Sequence, residues 1–390
     1  MKDVRDMAAV SLPFAAGVAA CAALAGGAAS GLRAADTAAA GFAAAAVLAV
    51  AFGLLAFLFR RRTGLLPFIL LFFCLGCLCF LSRALLPLPA APGPATRLAA
   101  RALAGLRRLI DTLPFKHDST HSLVAALLTG DRSGLTAEQT AAFRASGASH
   151  ILALSGLHLG VIYLIVSKLL SLVGNTPFLR RLRSLLIVIF SGFYTLATGA
   201  GPSIVRAFLF ILIRETCYLF PERRTSPARI LMTALTLQLA FRPDVITSLG
   251  FQLSYLAMAG ITLLYPSLSS WYPSTSPPTD GNLVSTLFSR TVILFLRVVD
   301  PVMRRIWQTA ALAVSCQIFT APLAWIRFHS FPKYFILTNL LALPLTSALM
   351  AASVAAIAFQ ALGGCPAPLA NTVDFLAQSL LFVLDVISSL

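Results

Sequence analysis

Long apolar runs recur near residues 7–28, 38–59, 64–86, 149–173, 184–200, 203–220, 228–243, 245–265, 307–328, 334–362 and 368–390. Runs of this length predict about eleven membrane-crossing helices, although several are short or interrupted by proline. Basic residues collect in the connections: Arg60 to Arg62; Lys168, Arg180, Arg181 and Arg183; Arg223, Arg224 and Arg229 beside Glu222; and Arg290, Arg297, Arg304 and Arg305. A cytoplasmic N-terminus puts all four stretches on the positive side of the membrane. The expected fold class is all-α: a polytopic transmembrane helical bundle with short amphipathic surface helices.

One basic stretch breaks this charge rule, because residues 95–111 follow the third run and belong outside. On a helical wheel Arg97, Arg101 and Arg108 fall within about 40° of one another, with Leu98, Leu103, Leu106, Leu109 and Ile110 opposite. The pattern predicts an amphipathic helix on the outer membrane surface or at a pore mouth, contacting either lipid phosphates or a substrate. A Pro- and Ser-rich stretch over 266–283 reads as a cytoplasmic linker. Five segments follow: an N-terminal transmembrane part (1–94), external amphipathic and vestibule helices (95–148), a first transmembrane core (149–265), the linker with a basic amphipathic helix (266–306), and a second transmembrane core (307–390).

Composition agrees, since 58% of the 390 residues are hydrophobic and only 11% are charged, which excludes a water-soluble globular domain. The net charge of +16 comes mainly from arginine and suits anionic partners, either lipid headgroups or a phosphate-bearing substrate. Cys74, Cys77 and Cys79 lie in a segment too apolar for an accessible metal or redox site and read as small packing residues. The first run, preceded by Lys2 and Arg5, reads as a retained span rather than a cleaved signal.

Polar residues inside these runs mark candidate chemistry. The stretch from His150 to Gly160 places His150, Ser155, Gly156, His158 and Gly160 in one apolar run. On a continuous helix the two histidines lie about 80° apart, with Ser155 and Gly156 thinning the backbone for close approach. Arg206 sits a turn inside a helix begun by Pro202 and needs an internal partner, a wet cavity or a path to the headgroups. Gln238, Gln252, Ser254, Gln317 and Asn339 read as interhelical hydrogen-bonding groups or substrate contacts. Pro322, Pro332 and Pro344 suggest broken helices. Asp131 and Arg132, in the turn Gly130 to Thr136, can pair locally, and Thr136 can cap the helix that follows. His117 and His121 have the spacing of a helical zinc pair, but Asp118, Ser119 and Thr120 serve equally as a helix cap and no third ligand is near. No metal, other cofactor or catalytic residue is expected.

Taken in order, Leu127 to Leu135, Phe143 to Gly147, His150 to Gly160, Pro202 to Ala207, Gly250 to Ser254 and Thr338 to Pro344 resemble the ComEC competence family, the inner-membrane DNA channel of natural transformation. The resemblance implies passage of single-stranded DNA across the bacterial inner membrane, with the matching residues lining or supporting the path. It also implies a DNA receptor, a separate nuclease and a cytoplasmic helicase-like ATPase as partners, and leaves a homodimer open. The chain departs from the fuller family pattern. The stretch before residue 118 is too short for an oligonucleotide-binding β-barrel, and no metallo-β-lactamase-like zinc signature is present, so strand degradation is not expected of this polypeptide.

Two other readings stand beside the channel. A transporter of small anionic solutes fits the charge but not the ordered motifs. An intramembrane serine hydrolase would use Ser155 as nucleophile and His150 or His158 as base, but lacks an evident oxyanion element or orienting carboxylate.

Overall fold

A computed structural model describes residues 2–27, 32–58, 65–85, 93–152, 155–174, 176–220, 226–272, 283–329 and 333–389, with side chains described outside 2–6, 26–27, 32–37, 58, 84 and 283–298. The described residues form sixteen α-helices and no strand. These are α1 (Lys2–Gly27), α2 (Leu32–Leu58), α3 (Leu66–Leu85), α4 (Pro94–Asp111), α5 (Asp118–Thr129), α6 (Ala137–Ala145), α7 (Ser149–Leu152), α8 (Gly156–Ser171), α9 (Pro177–Ala197), α10 (Pro202–Leu219), α11 (Pro227–Phe241), α12 (Leu249–Leu263), α13 (Tyr265–Ser269), α14 (Leu283–Phe328), α15 (Phe335–Ala361) and α16 (Ala367–Ser388). Helix starts follow local chemistry. Proline occupies the first turn of α4, α9, α10 and α11, where its missing N–H costs nothing. Thr176, Ser226 and Ser248 accept the N–H of Leu179, Arg229 and Phe251 in side-chain caps.

The apolar runs are largely helical, and among the described residues six helices are long and apolar enough to cross a membrane: α1, α2, α3, the Val299–Phe328 part of α14, α15 and α16. Six is fewer than the eleven expected from the apolar runs. Helices α8, α11 and α12 are apolar but have only 16, 15 and 15 residues. Helix α10 carries Arg206, Arg214 and Glu215. It packs against α8, α9, α11 and α12, and a helix walled by protein needs neither full length nor a uniformly apolar surface.

Two expectations about proline are corrected. Pro322 and Pro344 lie inside α14 and α15 and do not break them. The basic stretch before residue 307 and the span after it form one continuous helix. Pro332, Arg60 to Arg62, Glu222 to Arg224 and the 273–282 part of the linker lie outside the described residues.

Three apolar cores hold the bundle. Helices α4 to α7 pack with α15 and α16 around Ile110, Leu127, Phe143, Ile151, Met350 and Leu380. Helix α1 and, at its edge, α3 join α11 and α12 around Phe14, Val18, Leu239 and Phe251. Helices α8, α9 and α10 meet at Leu159, Ile162, Ile187 and Ile204. The cysteines of α3 behave as packing groups: Cys77 Sγ lies 3.5 Å from the Gly17 carbonyl and Cys79 Sγ 3.3 Å from that of Ala240.

Helix α4 is amphipathic, but its buried stripe runs through Ala99 and Ile110, with Leu103 and Leu106 partly covered, while Leu98 is 61% exposed. That stripe lies against α5, α9 and α15. Part of the apolar side is thus engaged in protein contacts, whereas Arg97, Arg101 and Arg108 are exposed.

Helices α1 and α3 cross so closely that a Cβ on Gly17 would lie 2.1 Å from the Phe73 carbonyl oxygen, and one on Gly76 2.1 Å from that of Phe14. Small residues permit such crossings where lipid supplies no hydrophobic drive between helices. Gly17→Ala is expected to destabilise the protein by roughly 1–3 kcal/mol through overpacking. Gly105→Ala on α4, with nothing within 4 Å of the new methyl, is expected to stabilise it by about 0.5–1 kcal/mol. Thermal midpoints of the detergent-purified variants check both signs.

Candidate functional site

The run from His150 to Gly160 is not one helix. Ser155 is extended (φ −118°, ψ 173°), α7 ends at Leu152, and α8 starts at Gly156. The expectation that both histidines share a continuous helical face is therefore corrected. Ser155 competes for local backbone groups: its Oγ accepts the Leu157 N–H at 3.3 Å, while its own N–H donates to His158 Nδ1 at 3.3 Å. This reciprocal capping box fixes the start of α8. His158 is fully buried, and among the described residues its Nε2 has no hydrogen-bond partner. Because Nδ1 accepts, the ring proton is assigned to Nε2. His150 is exposed, with Nδ1 3.1 Å from the Gly147 carbonyl.

Arg206 is placed by the turn between α9 and α10. Gly199 (φ 84°) and Ala200 (φ 48°) adopt left-handed backbone, which glycine accepts freely and alanine does not, and the chain re-enters helix at Pro202. One turn further on, Arg206 is 8% exposed and its Nη1 donates to the Ser254 carbonyl of α12. Gly156 supplies the space: a Cβ there would lie 3.1 Å from Arg206 Nη2. The expected close approach at Gly156 is thus directed at a side chain of α10. Gln238 on α11 clamps the same region, donating to the Pro202 carbonyl at 2.9 Å and accepting from Tyr255 OH at 2.9 Å. Ser203 Oγ reaches the Gly250 carbonyl at 3.3 Å. Among described residues no carboxylate forms an ion pair with Arg206.

The other candidates are dispersed. Asp131 pairs with Arg107 at 3.2 Å rather than with Arg132, which is exposed. The Ser133 hydroxyl and N–H, with Arg107 beyond, hold the Asp131 carboxyl below the usual carboxylate range. Thr136 caps α6 with Gln139, as expected. Gln252 bonds locally to the Ile246 carbonyl at 2.8 Å, and Ser254 contributes its carbonyl to Arg206. Among the described residues a Cβ on Gly160 would meet nothing within 4 Å, and Asn339 Oδ1 is buried without a partner. Asp118, Ser119 and Thr120 lie within α5 and do not cap it, because the cap position is His117. His117 approaches Asp374 at 3.5 Å, whereas His121 faces the Ile110 carbonyl and the Phe115 ring, so their partners differ.

Two buried acids escaped the sequence reading. Glu215 on α10 accepts from Tyr163 OH of α8 at 2.7 Å and from Ser184 Oγ of α9 at 2.6 Å, joining three helices. Asp374 on α16 accepts the Lys116 N–H at 2.8 Å and ties the α4–α5 connection to the last helix. An acid within an apolar run was the available signal for both. The Ser155–His158 contact expected of a hydrolase is present at 3.1 Å, but it belongs to the helix cap, and the unpartnered Nε2 lacks the orienting group of a catalytic dyad.

The molecule is a multi-pass helical membrane protein in which short inner helices enclose a buried arginine at a helix break. Residues 127–390 match the family model described as Competence protein, and the chain belongs to that family. It is 31% identical over 178 residues to ComE operon protein 3 of Bacillus subtilis (strain 168), a stretch that is 46% of this chain and 22% of that protein. No solved structure matches it.

Gln238→Leu removes one donor and one acceptor and strands Tyr255 OH, and it is expected to cost on the order of 2 kcal/mol. Tyr255→Phe, which leaves the Pro202 contact intact, is expected to cost about 1 kcal/mol. Denaturation in detergent checks the order. Asp131 has a depressed carboxyl in the folded protein, so its contribution is present above the ordinary carboxylate range and is lost as pH falls through and below it. Asp131→Asn should flatten the acid side of the stability profile without changing it at neutral pH by more than a surface pair is worth.

Proposed function

We propose that this chain carries single-stranded DNA across the bacterial inner membrane during competence, its N-terminus in the cytoplasm. The observation that carries the reading is the exposed arginine face of α4. On its opposite side a stripe through Ala99 and Ile110 is buried and α4 packs against α5, α9 and α15, so the arginines are held on a fixed protein surface. Such a face attracts backbone phosphates without reading sequence. Beyond it, Asp131 and Arg132 flank the approach, and the path runs past His150, the start of α8 at Ser155 and His158, Pro202, Arg206, Gln252, Ser254 and Asn339. The 95–148 helices act as vestibule, and the helices on either side of the 266–306 segment act as the core.

No bond is made or broken in this reading. A DNA receptor and a nuclease would present the strand from outside, and a helicase-like ATPase would draw it inward. A second copy of the chain could complete the passage.

Replacing Arg97, Arg101 and Arg108 by Glu is expected to lower transformation by externally added marker DNA at least about tenfold, with membrane levels of the protein unchanged. Removing three phosphate contacts should reduce the slope of log affinity against log salt for a single-stranded oligonucleotide by about 2. Unchanged transformation on deleting the gene, in a strain able to take up DNA, would overturn the reading.

A further inference from the structure

Two positive potentials meet at the break between α7 and α8. The first-turn N–H groups of α8 give it an N-terminal charge of about +0.5, and Arg206 brings a full charge against Gly156, the first residue of that helix. Like potentials repel, and burial strengthens the repulsion. The Ser155 Oγ cap on the Leu157 N–H and the Ser254 carbonyl on Nη1 offset part of it, but no described carboxylate pairs with Arg206. Nη2 is turned towards Gly156, and among the described residues it makes no hydrogen bond. His158 on that first turn is fully buried, and among the described residues its Nε2 has no hydrogen-bond partner.

We propose that the start of α8 and the free edge of the Arg206 guanidinium form a binding site for one singly charged tetrahedral oxyanion, a phosphodiester group. With the helix end partly offset by the Ser155 cap, the total lies between about +1 and +1.5, closer to the charge of a monoanion than to that of a doubly charged phosphomonoester. The Arg206 fork supplies charge and direction, and the helix start supplies N–H donors. Phosphodiesters occur in nucleic-acid strands and in lipid headgroups alike. Assigning the strand as the source rests on the proposed function, whereas oxyanion binding does not.

The test uses the full chain in maltoside micelles, with dimethyl phosphate as the probe and the thermal midpoint as the readout. Dimethyl phosphate should raise the midpoint saturably, and trimethyl phosphate, which is neutral, should not. Arg206→Gln should weaken the apparent affinity by about tenfold or more. Gly156→Ala, whose methyl would press on Nη2, should weaken it as well, and Arg206→Lys should recover part of it. A response equal in wild type and Arg206→Gln, or no response to the diester in a folded wild-type protein, overturns the site. Displacement of the probe by a single-stranded oligodeoxynucleotide supports its place on the strand path. Displacement by phosphatidylglycerol alone overturns that placement. If transformation proves independent of this gene while the variants still lose dimethyl phosphate, the strand reading fails and the oxyanion site stands.

Discussion

A buried arginine bonded to a backbone carbonyl sets the arrangement of the inner helices. A guanidinium cannot be neutralised by losing its proton, so the structure around Arg206 has to solvate it. The Ser254 carbonyl does so from α12, Gly156 opens α8 to admit the side chain, and Gln238 fixes both Pro202 of α10 and Tyr255 of α12. Four helices are thereby positioned around one charge. Each of these partners is uncharged, so the positive potential is retained where an ion pair would have cancelled it.

Close backbone contact makes this arrangement compact. The α1–α3 crossing rests on Gly17 and Gly76, and that of α12 with α14 rests on Gly260, where a Cβ would lie 2.2 Å from the Ser315 carbonyl oxygen. Between helices in lipid, dispersion contact and hydrogen bonds replace the hydrophobic drive, and both gain from short separations. Buried polar bridges complete the frame. Glu215 draws α8, α9 and α10 together at the far end of the helix that carries Arg206, Tyr194 OH donates to the Leu128 carbonyl at 2.6 Å, and Thr338 Oγ1 donates to that of Ser146 at 2.7 Å. These bridges join stretches far apart in sequence and tie the ends of α5 and α6 to α9 and α15.

Much of the fold was legible in the chain. Apolar runs gave the helices, prolines and hydroxyl residues gave many of their starts, and the wheel of 95–111 gave an amphipathic helix. Errors arose where a local rule met a tertiary neighbour. Leu98 belongs to the apolar side by the wheel, yet α4 turns Ala99, Leu103, Leu106 and Ile110 inward because α5, α9 and α15 occupy that side. Asp131 was paired with its neighbour Arg132, whereas Arg107 of α4 reaches it across the fold. The helix from His150 to Gly160 was read through its apolar pattern, which does not register a Ser155 backbone satisfied by His158.

The sequence by itself determined that the protein is helical and membrane-embedded, that it belongs with the competence proteins, and that Arg206 needs an internal partner. Those properties follow from hydropathy, charge and ordered local motifs, which are written along the chain. Only the tertiary structure decided which partner Arg206 takes, that the space for it comes from Gly156, and that Glu215 and Asp374 are buried bridges. These depend on groups up to 258 positions apart, and no local pattern encodes which backbone carbonyl or glycine a distant helix will present.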